Sequence, residues 1–283
     1  MSALTVYIDG IGFWAPRLPG WEAARAILRG AVAAPREPAP RPAPALLAPN
    51  ERRRAPDTVA VALDVAQSAC AAARCEPRSV PSVFASTYGD LAVSDAVCEQ
   101  LARAPLDTSP TKFHHSVHNA AAGYWAIATG CLEPYTALTA HRHTFGAGLM
   151  TAASQALTDE ARVLYVAYDI EARGPLATVA QSRGLLGVAL VLAPRPAVTT
   201  LARAALRLRE SEGSASPPRP GNAALVAGNA MAGCLAFFEA LADGVSRTLI
   251  VTLARQLHIE VTLDPRDGES IRNGADPSIG PGT

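Results

Sequence analysis

The chain has 283 residues, 25 basic and 25 acidic side chains, a formal net charge of zero and an apolar fraction of 49%. Balanced charge argues against a nucleic-acid binder, which shows a basic excess, and so high an apolar fraction excludes an intrinsically disordered chain. The length suits one large α/β domain or two small ones.

The opening MSALTVYIDGIGFW carries Asp9 early and lacks a basic region, so no secretory leader is expected. Leu4 to Ile11 reads as a strand that ends in a glycine turn. DGIG at Asp9 to Gly12 resembles a dinucleotide loop only superficially, because Phe13, Trp14 and Ala15 stand where the third glycine belongs. A helix is predicted over Trp21 to Leu28. Six prolines between Ala34 and Pro49 make the next stretch a surface connection.

Asp57 is a candidate cap for a helix running to about Ala73. SVFAST at Ser82 to Thr87 is a short apolar strand, followed by a helix over Leu91 to Leu101. A second helix is predicted over Ser116 to Thr129, with Gly130 as its left-handed terminator. Then come a strand at Tyr135 to Ala140 and a helix at Thr144 to Leu157. RVLYVAY (Arg162 to Tyr168) and VALVLA (Val188 to Ala193) are continuous apolar runs, as strands buried on both faces should be. Thr199 to Leu208 is expected to pair with the second run. Asn229 to Ala242 reads as helix, and Thr248 to Leu253 and Ile259 to Leu263 as strands.

Two stretches lack charge, His115 to Leu132 and Gly221 to Phe238. Their Asn, Gly and His content argues against a membrane span, so both are expected as buried helices of a cytoplasmic protein. The five cysteines (Cys70, Cys75, Cys98, Cys131, Cys234) lack metal-type spacing and are expected as reduced thiols. His114 with His118, and His141 with His143, form a histidine-only set without nearby carboxylates, so no metal is expected. No cofactor motif is present. Helices apolar all round, alternating with buried strands, predict an α/β fold layered α/β/α/β/α.

The stretch Phe113 to Ala153 gives a helix, a glycine turn, a strand, a tight polar turn and another helix. SVHNAAAGYWAIATG, with Asn119, Gly123, Ile127, Gly130 and Pro134 in register, resembles the ketosynthase helix preceding the active-site strand. VYIDGIGFWAP, the Gly20–Trp21 pair, ERRR at Glu51 to Arg54 and SVFASTYGD at Ser82 to Asp90 resemble a shorter subgroup. These are the β-ketoacyl synthase-like N-terminal-domain proteins, or chain-length factors, of bacterial aryl polyene and xanthomonadin pigment pathways. The resemblance implies a thiolase-like fold over residues 1–263, with an N-terminal half at 1–210 and an abbreviated C-terminal half at 221–263. Residues 264–283 are expected as a disordered tail.

The family places a nucleophilic cysteine at the strand-to-helix turn, where a helix N-terminus lowers the thiolate pKa and offers N–H groups to an oxyanion. Here the turn holds Arg142, or His141 with a one-residue slip, beside His143. Asn229 matches one of the two His/Asn positions that the resemblance implies. The segment for the other falls short between Leu208 and Gly221. Arg142 at the helix start is a candidate for anion binding, and Asn229 is open to a capping role. Ser116, Asn119 and Phe145 are the candidate substrate-pocket residues. The implied role is a non-catalytic subunit paired with a cysteine-bearing ketosynthase, or a homodimer, with an acyl carrier protein as possible third party. Two alternatives stay open. One is an acyltransferase, decarboxylase or ketosynthase working through His141, His143 and Arg142. The other is a scaffold without acyl ligand.

Overall fold

The computed structural model describes residues 3–107, 109–210 and 214–266. In chain order they form β1 (Leu4–Ala15), β2 (Leu18–Pro19), α1 (Trp21–Leu28), α2 (Pro49–Arg54), α3 (Asp57–Ala73), β3 (Ser82–Ala85) and α4 (Leu91–Arg103). There follow α5 (Pro110–Ser116), α6 (Ala120–Thr129), β4 (Tyr135–Leu138), α7 (Thr144–Thr158), β5 (Val163–Ile170), β6 (Leu185–Ala193) and β7 (Ala202–Glu210). The last elements are α8 (Pro220–Ala223), α9 (Leu235–Asp243), β8 (Arg247–Ala254) and β9 (Leu257–Pro265). No helix among the described residues is long and apolar enough to cross a membrane.

The strands lie in the order β4-β3-β5-β6-β1-β7-β9-β8. β3 is parallel to β4 and β5; the other neighbours on this path are antiparallel. β1 is the hinge of the arrangement. Its first residues, Leu4 to Ile8, pair with β7, and Tyr7 to Trp14 pair with β6. The register shifts between Ile8 and Gly10. Asp9, at that irregularity, is fully buried, ion-paired with Arg162 at 2.8 Å and hydrogen-bonded by Thr200 Oγ1 at 2.7 Å. So the strand over 202–210 pairs with β1 and β9, not with β6 as its sequence position suggested. The long β1 intervenes, and local patterning carries no record of that.

Alternate side chains of each central strand feed two cores. Val163, Tyr165 and Ala167 of β5 face α7 and α9, while Leu164, Val166 and Tyr168 face α3 and α6. Gly10 and Gly12 are not a strand-ending turn. They lie inside β1, pressed on α3: a Cβ on Gly12 would sit 2.0 Å from the Val65 carbonyl oxygen, and one on Gly10 2.1 Å from that of Ala69. Glycine is required there so that helix and strand backbones touch. On the opposite face α7 lies between the main sheet and β8, with Gly146 against the Thr252 carbonyl. The layers therefore run α3 and α6, sheet, α7 and α9, then the β7-β9-β8 strands. The far side of those strands carries Arg203–Asp264 and Arg209–Glu260 ion pairs and the Thr248–Thr262 hydroxyl pair. It is a solvent face, so the outermost helical layer is absent from it among the described residues. This is the thiolase-like layering with its C-terminal part abbreviated.

Four local expectations are corrected. The helix drawn from Ser116 to Thr129 is broken at Val117, which is extended (φ −73°, ψ 140°), with α5 before it and α6 after. Pro110 opens α5 and Ser109 caps it. The charge-free run was also expected to be buried, yet α6 buries only Ala121, Ala122 and Trp125, and Ile127 is 78% exposed. Asp57 begins α3 rather than capping it, its carboxylate taken by Arg41. At the C-terminus Asp264 and Pro265 belong to β9 and Arg266 bonds the Ala197 carbonyl. The rest of the expected tail, 267–283, lies outside the described residues.

Candidate functional site

The sequence singled out the turn after β4, and the structure makes it sharp. β4 ends at Leu138, a single 3₁₀ turn spans His141–His143, and α7 starts at Thr144. His141 holds a left-handed backbone, φ 52°. A non-glycine residue there is strained and persists only where its surroundings fix it. Thr144 does part of the fixing: its hydroxyl donates to the His141 carbonyl at 2.6 Å and accepts from Ala140 N–H at 3.0 Å. No side chain caps α7, so its N-terminal N–H groups and dipole point at the turn.

The three polar side chains of the turn diverge. His141 meets the edge of the Tyr88 ring, with centroids 6.5 Å apart. Arg142 and His143 line a cleft of about 570 Å³ shared with Ser214, Thr252, Arg255 and His258. Partial burial, then the charges of Arg142, His141 and His258, push the His143 imidazole below its ordinary value. His143 is thereby neutral at neutral pH, and among the described residues its buried Nδ1 has no hydrogen-bond partner. Among the described residues no carboxylate bonds that nitrogen, the place of the orienting group that a general base acquires in a triad.

None of the five cysteines lies at this turn. Cys131 precedes β4, at the other end of the strand, buried with its thiol on the Val80 carbonyl. Cys98 is exposed on α4. Cys234 stands at the N-cap of α9, the geometry that lowers a thiol pKa. It is fully buried, however, and burial pushes its thiol up instead. Imidazole and guanidinium groups cannot hold an acyl chain as a thioester, so the turn as built cannot run acyl transfer through sulfur.

Behind the turn sits a buried polar network that sequence reasoning missed. Asp169, at the end of β5, is fully buried. It accepts hydrogen bonds from Ser86 Oγ (2.9 Å), Thr87 N (3.0 Å) and Tyr88 N (3.2 Å), pinning the loop after β3. Burial raises its pKa, against the lowering effect of those bonds from Thr87, Ser86 and Tyr88. His118 Nε2 donates to the Ser86 carbonyl at 2.8 Å, and Thr139 Oγ1 to that of Thr87 at 3.0 Å. The only local signal for Asp169 was an acid closing an apolar strand, YVAYDI.

Asn229 joins the same network. Its amide donates to the carbonyls of Asp169 (3.2 Å), Arg183 (3.0 Å) and Gly184 (3.3 Å), and its oxygen accepts from Met231 N at 2.9 Å. This side chain is saturated by backbone groups and ties the ends of β5 and β6 to the turn leading into α9. Contacts run from His141 through Tyr88 and Asp169 to Asn229, so the turn and Asn229 lie at one end of the sheet. The three expected pocket residues do not converge. Ser116 Oγ donates to the Phe113 carbonyl, and Asn119 Nδ2 to the Tyr135 hydroxyl at 3.2 Å, on the α6 side. Phe145 lies in the other core, in an aromatic cluster with Tyr165, Phe237 and Phe238. The histidine pairs gather no metal donors: among the described residues no group of three or more His, Cys, Asp or Glu is disposed to hold an ion.

At the margin of the site, β4 is an edge strand with one side unpaired among the described residues. It is flanked by exposed apolar residues: Ile127 on α6, Leu132 (97% exposed), Val117 and Tyr135. A run of this kind is not left bare in a solitary protein without consequence.

The strand order, the layered helices and the strained strand-to-helix turn define the thiolase-like ketosynthase class. A solved ketosynthase (ApeO) in complex with its chain length factor (ApeC) from Xenorhabdus doucetiae shares the fold. Its TM-score is 0.70, with 21% identity over 92% of this chain and 99% of that one. The ishigamide ketosynthase/chain length factor aligns at TM-score 0.66 and 17% identity, over 93% of this chain and 100% of that one. A β-ketoacyl synthase from Burkholderia phymatum STM815 aligns at 0.57 and 15%, over 87% and 72%. No curated protein matches the chain. The family model for the β-ketoacyl synthase N-terminal domain matches residues 22–251, and the chain belongs to that family.

Proposed function

We propose that this protein is a non-catalytic ketosynthase-like subunit, a chain-length factor, that docks on a cysteine-bearing ketosynthase. One observation carries the reading. The strand-to-helix turn keeps its strained geometry but holds His141, Arg142 and His143 in place of a thiol, directly beside the edge strand β4, whose outer side is open among the described residues. A protein that has lost the nucleophile and kept the docking edge is suited to complete a neighbour's site. The fold likeness to solved ketosynthase and chain length factor complexes supports this, as does the near-complete coverage of the matched chains.

In the pairing, β4 of this chain meets a strand of the ketosynthase, and the apolar face of α6 is covered. The product class is a chain grown on an acyl carrier protein, and the motif resemblance favours an aryl polyene. The layered core over 3–266 acts as one domain, with Asn229 and Asp169 holding the site end rigid rather than touching substrate. The test is reconstitution of the partner ketosynthase with carrier protein and malonyl donor, with and without this chain. The proposal expects a longer, narrower product distribution with it. Identical product lengths would overturn it.

A second reading has its own observation: neutral His143 beside Arg142 in the shared cleft. It assigns the chain a thioester decarboxylase or acyltransferase activity with His143 as base. It expects turnover of malonyl-carrier thioester by this protein alone, abolished in His143→Ala.

A further inference from the structure

At the other end of the sheet, α3 closes in a motif that brings two thiols together. Arg74 is left-handed (φ 50°, ψ 44°), its N–H bonds the Ala71 carbonyl, and the N–H of Cys75 bonds the Cys70 carbonyl, both at 3.1 Å. These are the two bonds of a Schellman terminator. That geometry places the side chain three residues before the cap against the one just beyond the left-handed residue. Here those two residues are Cys70 and Cys75. Usually an apolar contact fills these positions. Cys75 Sγ lies 3.6 Å from the Cys70 carbonyl oxygen.

The two thiols are unequal. Cys70 is 1% exposed, in the core that α3 shares with α6 and the main sheet, whereas Cys75 is partly open to solvent. A hydrogen bond from Cys70 favours the Cys75 thiolate, and the Arg162 guanidinium adds to it, against burial and the charge of Asp9. The same bond, with burial, pushes the Cys70 thiol up. Cys131 is buried on a separate loop with its thiol already on the Val80 carbonyl.

We propose that Cys70 and Cys75 form a redox-modifiable pair that a hydroperoxide converts to a disulfide, with Cys75 attacked first and Cys70 resolving. The Cys75 thiolate attacks the peroxide oxygen, the O–O bond breaks, and the sulfur becomes a sulfenic acid while alcohol or water leaves. Cys70 then attacks that sulfur. The S–S bond forms, the S–O bond breaks, and the hydroxyl departs as water with the Cys70 proton. Two thiols lose two electrons and the peroxide gains them. The cross-link fixes the end of the helix that rests on Gly10 and Gly12. The inference is independent of the proposed function, because the pair lies at the far end of β3 from the turn after β4.

The test treats the whole protein with hydrogen peroxide, blocks remaining thiols and digests with trypsin without reduction. Cleavage after Arg54, Arg74 and Arg78 leaves Ala55 to Arg74 joined to Cys75 to Arg78, lighter by two hydrogens than the sum of the free peptides. In Cys70→Ser, Cys75 stays as a sulfenic acid that dimedone labels, and in Cys75→Ser neither product forms. On untreated wild type at neutral pH, alkylation of Cys75 is expected about tenfold faster than of Cys70, Cys131 or Cys234; this arm needs no variant to fold. A cross-link through Cys131, oxidation of Cys98 alone, or equal alkylation rates at Cys75 and Cys70 would overturn the proposal.

Discussion

α3 and α6 have similar compositions and opposite fates. Both are alanine-rich, α6 has no charged residue, and α3 has only Asp57 and Asp64. Both lie on the same face of the main sheet. α3 is buried around most of its circumference, down to backbone contact with the β1 glycines, whereas α6 keeps Ile127 in solvent beside the edge strand β4. An apolar helix announces that something must cover it. It does not say whether the cover is its own chain or another. For α3 the cover is internal; for α6 we assign it to the partner.

The comparison is broken most severely at α3. Gly12→Val sets a side chain into the Val65 backbone, which neither element can yield, so soluble folded protein is expected to be lost by circular dichroism. A Gly12→Val variant with a wild-type unfolding curve would mean the α3 contact is not what holds this face. Next in size is Trp125→Ala, on the buried side of α6. It is expected to cost about 3–5 kcal/mol in denaturant unfolding. A loss below about 1 kcal/mol would mean that α6 is peripheral on both sides.

Ile127→Arg sharpens the contrast from the exposed side. The isolated protein is expected to change stability by no more than about 0.5 kcal/mol. Binding to the ketosynthase, read by sedimentation, should weaken by about tenfold or more. The smallest effect is a pH slope at the foot of α6. His115 is buried, bonds the Tyr124 hydroxyl at 2.7 Å, and is held below its ordinary 6.5 by burial and then by His114. The unfolded chain therefore takes up the proton first. Stability is lost as pH falls below about 6.5 through the depressed folded value and is constant above it. His115→Gln should flatten that acid-side slope. An unchanged slope would assign the loss to other groups.

Much of this architecture was readable in the sequence, for reasons specific to each element. The runs at β5 and β6 are apolar without alternation because both faces are covered, and α1 fell on the bounds predicted for it, Trp21 to Leu28. What stayed hidden was decided at long range. Nothing near Thr199 says that β1 will take two antiparallel neighbours, and nothing in DGIG distinguishes a turn from glycines crushed against a helix. The site divides in the same way. The turn at His141 to His143 was visible because a motif frames it. Asp169 was not, since its three donors come from residues 86 to 88, far away in sequence. Asn229 was visible, and open between cap and contact; its four bonds to backbone groups are those of a pin.

The central claim is that β4 and α6 form the docking edge, and hydrogen exchange along Tyr135 to Leu138 tests it most directly. In the isolated protein the β4 amides that point away from β3 have no strand partner among the described residues and should exchange fast. On adding the cysteine-bearing ketosynthase they are predicted to slow by about a hundredfold or more, together with reduced uptake around Ile127. A stable complex in which those amides exchange at their free rate would contradict the account.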